Sequence, residues 1–81
     1  MKKILVIILL VISSQIAISQ SIDNGVKHLL AGNRKQALSV FENVLRKKKN
    51  SAEGNYFIGL THYLNRDYEK AIPYLKSAAK S

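Results

Sequence analysis

The sequence predicts an all-α fold: two stacked helical hairpins, four helices in all, preceded by a signal-peptide helix. Three observations carry this. Apolar residues recur at helical spacing along most of the chain, residues 20–81 match themselves at an offset of 34, and residues 4–12 are nine uninterrupted aliphatics behind a doubly charged start. Eighty-one residues leave room for one small domain and exclude a multidomain enzyme. The absence of cysteine excludes a disulfide framework, a thiolate metal site and a cysteine nucleophile.

The first element is the leader. Lys2 and Lys3 form a positive start, residues 4–12 (ILVIILLVI) an apolar stretch of secretory length, and residues 13–19 a more polar tail. Ala17 and Ser19 supply small residues at the −3 and −1 places, so cleavage is expected between Ser19 and Gln20, with the product periplasmic or secreted. The alternative is an uncleaved membrane anchor. From Ile4 to Ile18 a helix extends only about 22 Å, against a hydrocarbon core of about 30 Å, and Ser13, Ser14 and Gln15 interrupt it. The first repeat begins at the cut without a linker, which also favours cleavage. The chain carries 13 Lys+Arg against 5 Asp+Glu, a net charge of +8; removing Lys2 and Lys3 leaves +6.

A shift of 34 superimposes Gly25 on Gly59, His28 on His62 and Ala37 on Ala71. Ile22, Val26, Leu29 and Leu30 then fall on Tyr56, Leu60, Tyr63 and Leu64. Ala37, Leu38, Phe41, Val44 and Leu45 fall on Ala71, Ile72, Leu75, Ala78 and Ala79. The first set runs i, i+4, i+7, i+8 and the second i, i+1, i+4, i+7, i+8, each one stripe of an amphipathic helix. Helices are therefore expected near 21–31, 35–48, 52–64 and 68–80, with one repeat over about 20–51 and the other over about 52–81. Gly32 suits the left-handed end of the first helix, and Asn65 is expected to take that part in the second copy. Ser51 and Asp67 are expected N-caps, and Glu69 favours the start of the last helix. Pro73 removes one helical hydrogen bond and is expected to bend that helix without ending it.

A 34-residue helix–turn–helix unit with Gly25 and Gly59 early and Ala37 and Ala71 later resembles the tetratricopeptide repeat (TPR) family. The string Asp67, Tyr68, Glu69, Lys70, Ala71, Ile72, Pro73, Tyr74, Leu75 looks like the second helix of bacterial members, and the resemblance covers nearly all of residues 20–81. The family's early Trp is absent from both copies, and His28 and His62 stand where Tyr is usual. The resemblance implies a solenoid whose first helices line a concave groove for a protein or peptide partner. It places Ile22, Val26, Leu29 and Leu30, then Glu53, Tyr56, Leu60, Tyr63 and Leu64, on that groove. Packing between helices is the competing role for Leu30, Leu64 and Tyr63. Members that clamp acidic chaperone C-termini have Lys and Asn where Ile22, Val26, Tyr56 and Leu60 stand here, so that activity is not expected.

His28 and His62 lack a third ligand at helical spacing and are expected to pack rather than hold a metal. Arg46, Lys47, Lys48 and Lys49 complement the C-terminal end of their helix, with an anionic envelope surface as the alternative partner. No cofactor, nucleic-acid partner or catalytic residue is expected. The basic run has no interleaved aromatics, and the acids form no acid–base pair. The expected function is an exported, non-catalytic module for protein–protein interaction. The alternatives are a basic scaffold component of the cell envelope and a fragment of a longer repeat protein. Ile72, Leu75 and Ala79 lack a capping helix over them, which predicts marginal stability and self-association through the last helix.

Overall fold

A computed structural model describes the backbone of residues 2–80, with the side chains of all of these except Lys2, Leu5 and residues 10–15. Met1 of the leader and Ser81 lie outside the described residues, as do the side chains of much of the predicted apolar stretch. The described chain is all-helical: α1 (Lys2–Leu30), α2 (Arg34–Lys47), α3 (Ala52–Leu64) and α4 (Tyr68–Ala79). One boundary differs from expectation. The leader does not stand apart from the first repeat helix, because α1 runs through both for 29 residues. Nothing between Ile12 and Ile22 can break a helix: no Gly or Pro occurs there, and the Ser13, Ser14 and Gln15 backbone groups are satisfied within the helical ladder.

Consecutive helices pack as antiparallel neighbours: α1 on α2, α2 on α3 and α3 on α4, with a smaller contact between α1 and α3. Among the described residues α4 touches α3 alone. The two hairpin turns are built alike. After α1 the Asn33 amide donates to the His28 carbonyl (2.8 Å) and the Gly32 amide to Leu29 (3.1 Å). After α3 the Asp67 amide donates to His62 (2.9 Å) and the Arg66 amide to Tyr63 (2.9 Å). Both are the paired bonds of a Schellman motif, which require a left-handed residue between them. That residue is Gly32 (φ 83°) in one turn and Arg66 (φ 64°) in the other. Asn65, expected in this part, keeps φ −81° because it sits one place too early in the bond pattern. The Arg34 guanidinium donates to Asn65 Oδ1 (3.2 Å), tying the turns together.

Ser51 caps α3 as expected, its hydroxyl accepting from the Gly54 amide at 3.0 Å, and its carbonyl accepts from Asn55 Nδ2 at 3.0 Å. Asp67 occupies the N-cap of α4 but its side chain makes no capping bond. α4 continues through Pro73 to Ala79.

The core lies where the hairpins meet. Ala37 and Phe41 of α2 and Ile58 of α3 are fully buried together, with Val26, Leu29, Leu38, Leu45, Phe57 and Tyr74 packed around them. Phe41 and Phe57 stack with ring centres 5.2 Å apart. Thr61, also fully buried, donates to the Phe57 carbonyl at 2.7 Å, so its hydroxyl costs little there. Within each hairpin a glycine receives a large side chain. A Cβ on Gly25 would lie 2.7 Å from Phe41 Cζ, and one on Gly59 would lie 2.7 Å from Leu75 Cγ. Gly25 and Phe41 are the 34-residue equivalents of Gly59 and Leu75, so one close approach is made twice.

Candidate functional site

Helix α3 is the most heavily used element and the most buried of the four among the described residues. Gly54, Asn55, Ile58, Gly59 and Thr61 are buried on one side. Tyr56, Leu60 and Tyr63, at i, i+4 and i+7, form a stripe on another. Tyr56 is 47% and Tyr63 54% exposed, while Leu60 is half-buried and supports them from below. Tyr63 is held edge-on by Tyr68 at 5.3 Å, and Tyr56 sits edge-on to Phe57 at 5.2 Å. Both rings are thus oriented by neighbours and yet largely wet.

The groove residues expected on α1 behave differently. Ile22 is buried, 6% exposed, and belongs to the core. Val26 and Leu29 are half-buried and pack against the Phe41 cluster. Ile22 is covered because the α2–α3 connection folds back over it: Ile18, Ser19 and Ile22 line a pocket of about 170 Å³ with Lys48, Ser51 and Glu53. Leu30 and Leu64, for which packing between helices was the competing expectation, are both exposed, Leu30 at 83%. Each is the last residue of its helix, at the hairpin turn.

An open depression of about 700 Å³ lies at the far edge of α3 and α4, lined by Ala52, Glu53, Tyr56, Phe57, Leu75, Ala78 and Ala79. Glu53 and Tyr56 are therefore brought together, with α4 as the opposite wall. A separate polar cleft of about 360 Å³ is lined by Lys49, Asn50, Asn55, Ser77 and Lys80. Arg46, Lys47, Lys48 and Lys49 are all exposed, and the Arg46 guanidinium donates to Asn43 Oδ1. His62 lies against Tyr74, ring centres 5.7 Å apart, which is a packing role. Among the described residues no three His, Cys, Asp or Glu side chains gather as a ligand set.

No family model, curated protein or solved structure matches this chain. What the site can do must therefore be argued from its own chemistry. An apolar, aromatic surface with no gathered titratable groups suits the burial of another apolar surface. Phe57 and Ala78 were not among the residues expected to line a site. The signal that finds them is the offset of 34. Phe41, Val44 and Leu45 lie under α3 in the first hairpin, and their equivalents Leu75, Ala78 and Ala79 have no described helix over them.

Proposed function

We propose that this chain is an exported, non-catalytic scaffold of the tetratricopeptide type that captures a protein or peptide partner through the first-helix face of its repeats. The observation that carries the reading is the stripe of Tyr56, Leu60 and Tyr63 on α3. Two ring-oriented tyrosines stand exposed on a helix whose other side is core. Tyrosine adds large contact area at low conformational cost, and anchors at i, i+4 and i+7 match the repeat of a bound helix or strand. Val26 and Leu29 are half-buried against the Phe41 cluster and serve as packing rather than as anchors. The repeated turn, the repeated glycine contact and the 34-residue period support the family reading.

Export is supported by the leader. Val6, Ile7, Ile8 and Leu9 are consecutive and all 48–63% exposed, so no side of the helix is packed against protein at that point. A helix apolar all round needs a non-aqueous surrounding, which a translocation channel or bilayer supplies. No helix among the described residues is long and apolar enough to cross a membrane.

A displayed peptide library selected on the full chain in neutral-lipid nanodiscs tests the function. Selected peptides should lose at least tenfold in affinity, about 1.4 kcal/mol, when Tyr63 is replaced by Ala. Peptides indifferent to Tyr63→Ala and Leu60→Ala would sink the reading. The second reading, a scaffold component held at an anionic envelope surface, rests on the exposure of Arg46, Lys47, Lys48 and Lys49 in one run. It predicts release from anionic vesicles as salt rises from low to moderate, whereas capture of an apolar peptide should be nearly insensitive to salt.

A further inference from the structure

We propose that, while residues 1–19 remain attached, one end of the helical body rests on an anionic lipid bilayer. The apolar rod of α1 enters the hydrocarbon, and a collar of basic residues round its root meets the headgroups. The proposal rests on the second reading above and names its anionic surface as lipid.

Topology makes the juxtaposition. α2 packs antiparallel to α1, so its C-terminal end returns to the level at which α1 leaves the body. Ile18 and Ser19 of α1 share a pocket with Lys48, and Lys49 shares the polar cleft with Lys80 at the end of α4. Arg46, Lys47, Lys48, Lys49 and Lys80 are therefore gathered at the end from which the rod projects, and all five are exposed. Among the described residues Glu53 is the one carboxylate side chain lining these two sites. Asp23 and Glu42 are set back by one turn from Ser19 and Arg46, about 6 Å along their helices. The opposite end is formed by the two hairpin turns. It mixes Arg34, Lys35, Arg66 and Lys70 with Asp67 and Glu69, and no apolar helix projects from it.

An anionic bilayer answers both features at once. Val6, Ile7, Ile8 and Leu9 lie round the whole helix and are all exposed, as are Ile4 and Ile16. An acidic protein or polymer would meet the lysines and leave about 22 Å of aliphatic helix in water. A neutral apolar surface would take the rod and offer the collar no counter-charge. No helix among the described residues is long and apolar enough to cross a membrane. A single weak apolar anchor binds reversibly, and a basic cluster beside it is the second attachment that makes binding stable.

This seating orients the rest of the molecule. α3 begins at the collar and runs away from it, so Tyr63 lies about 16 Å further from the lipid than Ala52. The Tyr63 end of the aromatic stripe stays open to a soluble partner.

The chain has no cysteine, so Leu9→Cys, Asn50→Cys and Leu30→Cys in the full chain each carry one environment-sensitive dye. Vesicles are phosphatidylcholine with or without phosphatidylglycerol, and nitroxide quenchers sit on either the acyl chains or the headgroups. Acyl-chain nitroxides should quench the dye at residue 9, headgroup nitroxides the dye at residue 50, and neither the dye at residue 30. Phosphatidylglycerol should tighten binding at least tenfold. Lys47→Gln, Lys48→Gln, Lys49→Gln and Lys80→Gln together should abolish that gain and leave binding to phosphatidylcholine alone unchanged. Lys35→Gln with Lys70→Gln, at the opposite end, should leave most of the gain in place. Circular dichroism shows whether each variant is folded; should the fourfold variant unfold, Lys49→Gln with Lys80→Gln decides in its place. Equal loss from the near and far sets would overturn the proposal, as would equal headgroup quenching at residues 50 and 30. Capture on dextran-sulfate beads as tight as on vesicles, without quenching at residue 9, would overturn it while the anionic-surface reading stood. No gain from phosphatidylglycerol and no capture on the beads would remove both.

Discussion

Arg66 is the residue most at odds with its own backbone. It holds φ 64° because the two bonds closing α3 leave no other place for the left-handed residue. In that region a side chain costs about 1–2 kcal/mol, and glycine pays about 0.5–1 kcal/mol in lost freedom instead. Arg66→Gly should therefore raise stability by about 0.5–1 kcal/mol, and Gly32→Ala should lower it by about 1 kcal/mol, both read from urea unfolding. Asn was the natural guess from residue type, since it tolerates the left-handed region better than Arg. The offset of 34 nevertheless maps Gly32 onto Arg66 and not onto Asn65. The glycine contacts make a second, unequal pair. Ala in place of either gains about 1 kcal/mol of helix propensity, but forcing a methyl into a packed contact costs about 1–3 kcal/mol. Phe41 is fully buried and stacked on Phe57, so it cannot give way to a methyl on Gly25. Leu75 borders open space and can. Gly25→Ala should be net destabilising by about 2 kcal/mol and Gly59→Ala by less than half of that, measured in the same unfolding series.

Among the elements, α4 is the least supported. Among the described residues it packs on α3 alone; it makes no side-chain cap bond at Asp67 and has lost the hydrogen bond that residue 73 would donate to Glu69. Pro in a helix interior is worse than Ala by about 3 kcal/mol, while its partner position in α2 is an ordinary Ser39. Pro73→Ala should stabilise the chain by about 1–3 kcal/mol and slow amide exchange in α4 first, because the restored bond lies there. The number and placement of the helices after residue 20 were legible because apolar stripes at a 3.6-residue period leave little choice, and Gly32 and Ser51 punctuate them. Two things were not. The continuity of α1 was hidden because the composition changes near residue 20 while no helix-breaking residue marks that change. The roles of Ile22 and Leu30 were hidden because one stripe contains both core and surface, and only the path of the α2–α3 connection decides which end is covered.

The whole molecule is a packed body with an apolar rod projecting from it. Its extents are 52 × 27 × 15 Å, and α1 alone accounts for about 43 Å at 1.5 Å per residue. The two parts meet at Ile18 and Ser19, which reach the α2–α3 connection, whereas Val6, Ile7, Ile8 and Leu9 stay exposed. Each such side chain gains about 1.5–3 kcal/mol when it is fully removed from water, so the rod has a strong drive toward an apolar surrounding that the body does not satisfy. The body, in contrast, draws its core from Ala37, Phe41 and Ile58, and the described hydrophobic residues packed against these all lie beyond residue 19. Removing residues 1–19 should thus change the unfolding free energy of the hairpins by less than about 1 kcal/mol, the scale of a partly covered Ile18. Urea unfolding of the full chain and of residues 20–81 in the same neutral detergent measures it. A loss above about 3 kcal/mol would mean that residues 1–19 are part of the folded body.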